Sequence, residues 1–419
     1  MADKSISLLK LVEARASSKK KLAEEMKKQQ DSLIPYLPTE CISNILVRLP
    51  LDSLQRSRFV CQTWYRIINS AIFIEAYLQR SESVLIFLVP PKRDIFFPYG
   101  TPNLQARPNA LSVESKLFEL QSVHAFQRPL MDPKSLLQIK FMEIKNGKIN
   151  IQEYNATCLG KIRASCSGLI LLDNKMKKGG LIVMNPVTRE LEALPLGTLC
   201  SSHNESYGLA FCHTTKQFKL VHVFRDKLQF IGCEILNLGT KSWRAVDGPA
   251  FGLFGWFGYD PVFASDAIHW IPHIDHSEYI VSMTADNEKF RQIPLPKSSR
   301  TQDRLVEMRG HLGFVTREEL NQSIDVWILK NLCGEGWTKQ YSITVGCKSC
   351  VIPLYFSRIS GEMIFQDDDG SLYAYDCSLQ LMRKVEMQKG SFPIGSFYFP
   401  HVNSLLSWQV EVQGQDVVD

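Results

Sequence analysis

The chain has 419 residues, of which 45% are hydrophobic and 22% charged, and its net charge is +5. This excludes a disordered chain and exceeds one compact domain of ordinary size, so a small domain beside a large one, or a repeat domain, is expected. The weak basicity is dispersed, which does not single out nucleic acid as a partner. The longest apolar stretch, residues 84–89, falls far short of the ~18 residues of a membrane span, so no membrane partner is expected.

Residues 1–32 read as a basic leader, partly helical or disordered. Lys4, Lys10, Arg15, Lys19, Lys20, Lys21, Lys27 and Lys28 outnumber Asp3, Glu13, Glu24 and Glu25 there, so the rest of the chain is close to neutral. The run Ile6–Val12 is interrupted by Lys10 and is too short for a secretory signal. The eleven cysteines follow no framework, which fits reduced thiols and a cytoplasmic or nuclear protein.

Residues 33–80 carry a dense helical pattern. Ile42, Ile45, Leu46 and Leu49 share one helix face behind Leu37-Pro38-Thr39, with Thr39 as a candidate cap and Pro50 as a stop. Asp52 or Ser53 is placed to cap a second short helix with Leu54. Val60, Trp64, Ile67 and Ile68 define a third, and an apolar run from Ile72 to Leu78 follows. Three short helices make a poor independent domain without disulfides, metal or a partner. With no metal-ligand spacing present, this predicts a docking module that completes its core against another protein.

From residue 81 to 408 the texture is that of strands, short apolar runs between Gly, Asn, Asp, Pro and Ser clusters. One phrase recurs: an apolar strand, a polar turn, a large apolar anchor, and a closing strand that often ends near proline. Its anchors are Leu191, Trp243, Phe290, Trp337 and Met382, at intervals of 52, 47, 47 and 45 residues. Repeats of ~40–50 residues mark β-propeller blades, which bury both faces only by stacking around an axis. Strand candidates at 84–88, 117–120 and 139–144 suggest one further blade with a long insertion. The reading is a propeller of about six blades, with five or seven as alternatives. The phrase from Phe397 to Trp408 is placed to close the ring, and 409–419 reads as a tail.

Leu37-Pro38, Ile45-Leu46, Arg48-Leu49-Pro50, Leu54, Arg58, Val60-Cys61, Trp64 and Ile67-Ile68 resemble the F-box in order and spacing. The resemblance implies binding to a Skp-type adaptor and, through it, a cullin. The adaptor-facing residues it implies are Leu37, Pro38, Ile45, Leu46, Leu49, Pro50, Leu54, Val60, Cys61 and Trp64. The second half is similar to the F-box-associated, kelch-like domain of plant F-box proteins, in Ser167–Ile170, Asn185–Arg189, Ala267–Trp270 and Phe290–Pro296. The fold class is therefore mainly β with a small α module, a three-helix F-box followed by a propeller. The resemblance implies a substrate-recognition subunit of a ubiquitin ligase with an unidentified target protein. The alternatives are a stoichiometric F-box binder outside a ligase, and a propeller enzyme or carbohydrate-binding protein.

Motifs of chemistry are sparse. Cys347-x-x-Cys350 lacks a second ligand pair. His269, His273 and His276 match no zinc spacing, and Asp367–Gly370 reads as a hairpin turn rather than a calcium loop. No phosphate-binding loop or nucleophile elbow occurs, so no catalytic residue, metal or cofactor is expected. Five aromatic residues among glycines at 251–259 stand out. Trp256, Phe257 and Tyr259 are candidate target-binding residues, against the alternative that they fill space between blades.

Overall fold

A computed structural model of the chain describes residues 37–89, 137–145, 148–158, 160–174, 177–200, 204–226, 230–249, 260–272, 276–300, 303–318, 323–332, 336–345, 351–367, 369–386 and 398–408. It divides into two compact units, Met1–Tyr77 and Leu78–Asp419.

The first unit is helical, with α1 (Thr39–Leu46), α2 (Leu51–Ser57) and α3 (Gln62–Asn69); α4 (Ala71–Arg80) follows. Neither Thr39 nor Asp52 nor Ser53 caps a helix. Pro38 and Pro50 hold the cap positions of α1 and α2, with extended ψ of 146° and 151°. Proline has no N–H to lose where the helix leaves its donors orphaned, and its fixed φ starts the helix abruptly. Two later caps are made by side chains. Cys61 Sγ accepts the Trp64 N–H at 3.5 Å, and Ser70 Oγ accepts the Phe73 N–H at 3.3 Å. Leu46, Leu54, Ile67, Ile68 and Phe73 form the buried interior.

The second unit is a propeller of six four-stranded antiparallel sheets. Blade 1 pairs β24 (Phe399–Val402) with β1 (Ser83–Val89), β2 (Leu137–Lys145) and β3 (Lys148–Cys158). Blade 2 holds β4 (Ile162–Cys166), β5 (Leu169–Asn174), β6 (Gly180–Asn185) and β7 (Glu190–Ala193). Blade 3 holds β8 (Glu205–Cys212), β9 (Gln217–Arg225), β10 (Ile231–Asn237) and β11 (Ser242–Val246). Blade 4 holds β12 (Val262–Ala264), β13 (Ala267–Trp270), β14 (Ser277–Thr284) and β15 (Phe290–Ser299). Blade 5 holds β16 (Arg304–Met308), β17 (His311–Glu318), β18 (Ser323–Leu329) and β19 (Trp337–Thr344). Blade 6 holds β20 (Val351–Phe356), β21 (Glu362–Asp367), β22 (Leu372–Asp376) and β23 (Leu381–Lys384).

The hydrophobic core is divided into wedges, one between each pair of neighbouring blades, including blades 6 and 1. Strand alternation explains the apolar runs. Leu169 and Leu171 of β5 face blade 3, whereas Ile170 and Leu172 face blade 1. A sheet packed on both faces needs apolar residues at every position, so its strands read as continuous runs.

The repeated phrase has a backbone meaning. Arg189, Lys241, Glu288 and Gln380 adopt left-handed φ of 53–63°, each two residues before an anchor, in the hairpin leading to the outermost strand. The N–H groups of Arg189, Lys241 and Glu288 return to the carbonyls of Asn185, Asn237 and Thr284 at 2.8–3.0 Å. The two-residue turns Ser167-Gly168, Ser265-Asp266 and Arg309-Gly310 are left-handed at both positions, which matches the twist of a tight hairpin.

The anchors and closing prolines pin neighbouring blades. Trp243 Nε1–H donates to the Pro195 carbonyl at 2.9 Å, and Trp337 Nε1–H to that of Pro294 at 2.7 Å. Trp243→Phe keeps most of the ring and removes the donor, and is expected to cost about 1 kcal/mol of propeller stability in urea unfolding. Wild-type stability would show that this pin contributes nothing.

Closure joins the two ends of the unit. In β24, Phe399 pairs with Ile86 and Val402 with Ser83 of β1. The chain then crosses blade 2. The buried Asn185 donates through Nδ2 to the carbonyls of Ser404 and Leu406 at 3.1 and 2.8 Å. Its Oδ1 accepts the N–H groups of Val187 and Thr188. Ser404 Oγ–H donates to the Ser167 carbonyl at 2.6 Å. A Cβ on Gly168 (φ 94°) would lie 2.0 Å from that hydroxyl, so glycine is required there. Trp408 ends the strap, buried in the wedge between blades 2 and 3.

Candidate docking surfaces

The helical unit carries more apolar side chains than its interior holds. Leu37, Ile45, Phe59, Val60, Tyr65 and Ile72 are exposed, with Phe59 at 88% and Ile72 at 84%. Pro38, Pro50 and Cys61 are exposed too, and Leu49 and Trp64 are half-buried. These positions include eight of the ten adaptor-facing residues expected from sequence. The other two, Leu46 and Leu54, are 0% exposed. They build the unit's own interior, because α1 turns Leu46 inward and leaves its neighbour Ile45 at 52% exposure. Phe59 and Tyr65 escaped the sequence reading, and Ile72 entered it only as part of an apolar run. Their signal is that a unit this small gains nothing from exposed rings and branched side chains in its own folding.

In the propeller, the tight two-residue turns lie at one end of the sheets. The connections β1–β2, β11–β12 and β23–β24 join strand ends at the opposite end. Trp256, Phe257 and Tyr259 belong to the β11–β12 connection and lie outside the described residues, as do Cys347, Cys350, His273 and residues 117–120.

At the start of this unit, Glu82 is held by the β20–β21 turn. Its carboxylate accepts the Arg358 and Ile359 N–H groups and the Ser357 hydroxyl, each at 3.1 Å. Arg358 in turn donates to the Leu78 carbonyl at 3.3 Å and to Glu307 at 2.9 Å. His269 is fully buried. Its Nε2 faces the Ala264 carbonyl at 3.0 Å and its Nδ1 the Ser282 hydroxyl at 2.6 Å. A carbonyl only accepts, so Nε2 carries the proton. Burial pushes the ring down to about 4, so it is a neutral structural pin.

A helical unit with an uncovered apolar surface, followed by a closed propeller, defines a two-part binding protein. Comparison with known families agrees. Residues 34–75 match the F-box domain, and residues 121–399 match the F-box associated beta propeller domain. F-box protein At3g07870 of Arabidopsis thaliana is 23% identical over 342 residues, covering 73% of this chain and 72% of that protein. F-box/kelch-repeat protein At3g23880 of the same plant is 22% identical over 387 residues, covering 88% and 91%. F-box protein CPR1, also from Arabidopsis thaliana, is 22% identical over 391 residues and covers 84% of each chain. The chain belongs to the F-box proteins that carry an F-box associated β-propeller.

Proposed function

We propose that this protein is a non-catalytic substrate receptor of a Skp-cullin-F-box ubiquitin ligase. The observation that carries the reading is the exposed apolar surface of the F-box unit, around Leu37, Ile45, Phe59 and Val60. A Skp-type adaptor covers that surface, with a cullin beyond it. The propeller holds a target protein, with Trp256, Phe257 and Tyr259 of the β11–β12 connection contributing to that grip. The receptor supplies effective concentration. It turns a rare encounter between a target lysine and the charged conjugating enzyme into a near-intramolecular one. The protein acts in the cytoplasm, the nucleus or both.

The test uses the full-length chain. Ile45→Asp and Val60→Asp place a carboxylate on the exposed surface and leave the interior residues untouched. Each is expected to reduce co-purification of adaptor and cullin at least ~10-fold, since burying an unpaired charge costs several kcal/mol. The propeller's melting temperature should not move. Undiminished capture of the adaptor by both variants would sink the docking surface. Adaptor without cullin in the wild-type complex would place the protein outside a ligase.

A further inference from the structure

Where blade 2 meets blade 3, a cluster of buried charges has no part in the proposed docking. His222 of β9 is 0% exposed, and both of its ring nitrogens face carboxylates. Nδ1 lies 2.8 Å from Glu234 Oε1, and Nε2 lies 3.3 Å from Glu205 Oε2 at an angle too poor for a full hydrogen bond. Tyr207 of β8 stacks on the imidazole at 4.3 Å and donates its hydroxyl to Glu205 at 3.1 Å. Phe224 and the edge of Trp243 enclose the ring further.

The cluster ties blade 3 to blade 2. Arg163 of β4 reaches Glu205 at 3.1 Å and Asp173 of β5 at 2.6 Å. Glu234 accepts the Thr198 N–H at 2.7 Å and its hydroxyl at 3.0 Å, which seats the connection between β7 and β8. A Cβ on Gly197 in that connection would lie 2.4 Å from Glu234 Oε1, so the segment is fitted closely to the carboxylate. Burial, then the charges of Glu205, Glu234 and Asp226, push up the thiol of Cys200 in the same connection.

A neutral imidazole has one N–H and would turn a bare lone pair towards one of the two carboxylates; only the imidazolium presents a positive N–H to each. Arg163 is shared between Asp173 and Glu205, with Lys161 and Asp260 beside it, whereas Glu234 faces His222, so a charged His222 matches the carboxylates of the seam. We propose that the seam between blades 2 and 3 is a pH-sensitive clasp, fastened by the imidazolium of His222 between Glu205 and Glu234 and loosened when that proton leaves.

The electrostatics of the site agree with the geometry. Burial alone would lower His222, but Glu205 and Glu234 outweigh it and raise the ring above its ordinary 6.5. A folded-state value above the unfolded one contributes stability that is fully present below about 6.5 and is lost as pH rises through the folded value. Glu234 acts in a separate, acidic window. Burial raises it, but His222 and Thr198 hold it below its usual range, so its contribution is lost as pH falls through that depressed value.

The test follows isotope-labelled histidines of the full chain by NMR from about pH 6 to about pH 9, beside thermal unfolding over the same range. His222 should titrate above 6.5 and the wild-type melting temperature should fall as it does. His222→Gln should melt lower near pH 6, with a flatter profile towards pH 9. If that variant does not fold, Glu234→Gln serves instead, and should shift the His222 midpoint downwards. A His222 midpoint at or below 6.5, or parallel melting profiles for wild type and variant, would overturn the clasp.

Discussion

Ending the chain after residue 396 should unfold the whole propeller. The lost segment contains the innermost strand of blade 1 and the strap across blade 2. His401, Ser404, Leu405 and Trp408 are each 4% exposed or less. Replacing one buried tryptophan by alanine costs ~3–5 kcal/mol, and a domain's whole margin is ~5–15 kcal/mol. Removing β24 also uncovers two apolar wedges, those between blades 1 and 2 and between blades 6 and 1. The expected product is insoluble, or lacks a cooperative transition in circular dichroism and urea. Trp408→Ala, with the rest of the strap in place, should remain folded and lose ~3–5 kcal/mol. Wild-type unfolding by the truncated chain would mean that the blades form an open stack.

Leu46→Asp should collapse the helical unit rather than merely blunt its docking. The side chain is 0% exposed and lies among the unit's few buried residues. A carboxylate buried without a partner costs several kcal/mol, comparable to everything a core of this size supplies. Limited proteolysis should cut the variant within α1 to α3 while the propeller stays intact. Ile45→Asp, one residue away, should resist cleavage like the wild type. Adaptor capture should be lost in both variants, so only the protease pattern separates a broken module from a blocked surface. Equal resistance of the two would mean that Leu46 is not an interior residue.

The propeller was legible because its repeat is local. The five anchors fall on the outermost strands β7, β11, β15, β19 and β23, and each phrase is one hairpin with a left-handed residue near its end. Blade 1 could not be read this way, because its inner strand comes from the far end of the chain. In the helical unit, periodicity found the apolar stripe but not its inner and outer halves. Ile45 and Leu46 are chemically alike, and only packing sends one inward. The His222 cluster was hidden for another reason. Its charged members are spread over β4, β5, β8, β9 and β10, and spacing along one strand carries no trace of pairing across several. The available signal was a histidine inside the apolar run Leu220-Val221-His222-Val223, where a polar group needs a buried partner.

The pairing of Ser83 with Val402 also bears on synthesis. The partners are 319 residues apart by subtraction, and at ~5–20 residues per second the ribosome needs roughly 15–60 s to travel between them. Throughout that interval β1 has no neighbour on one side, and an unpaired strand edge invites the wrong partner. The nascent chain therefore spends most of its translation with an unpaired, aggregation-prone edge. A message with a late premature stop would yield a receptor that never leaves that state. Its half-life would then be set by quality control.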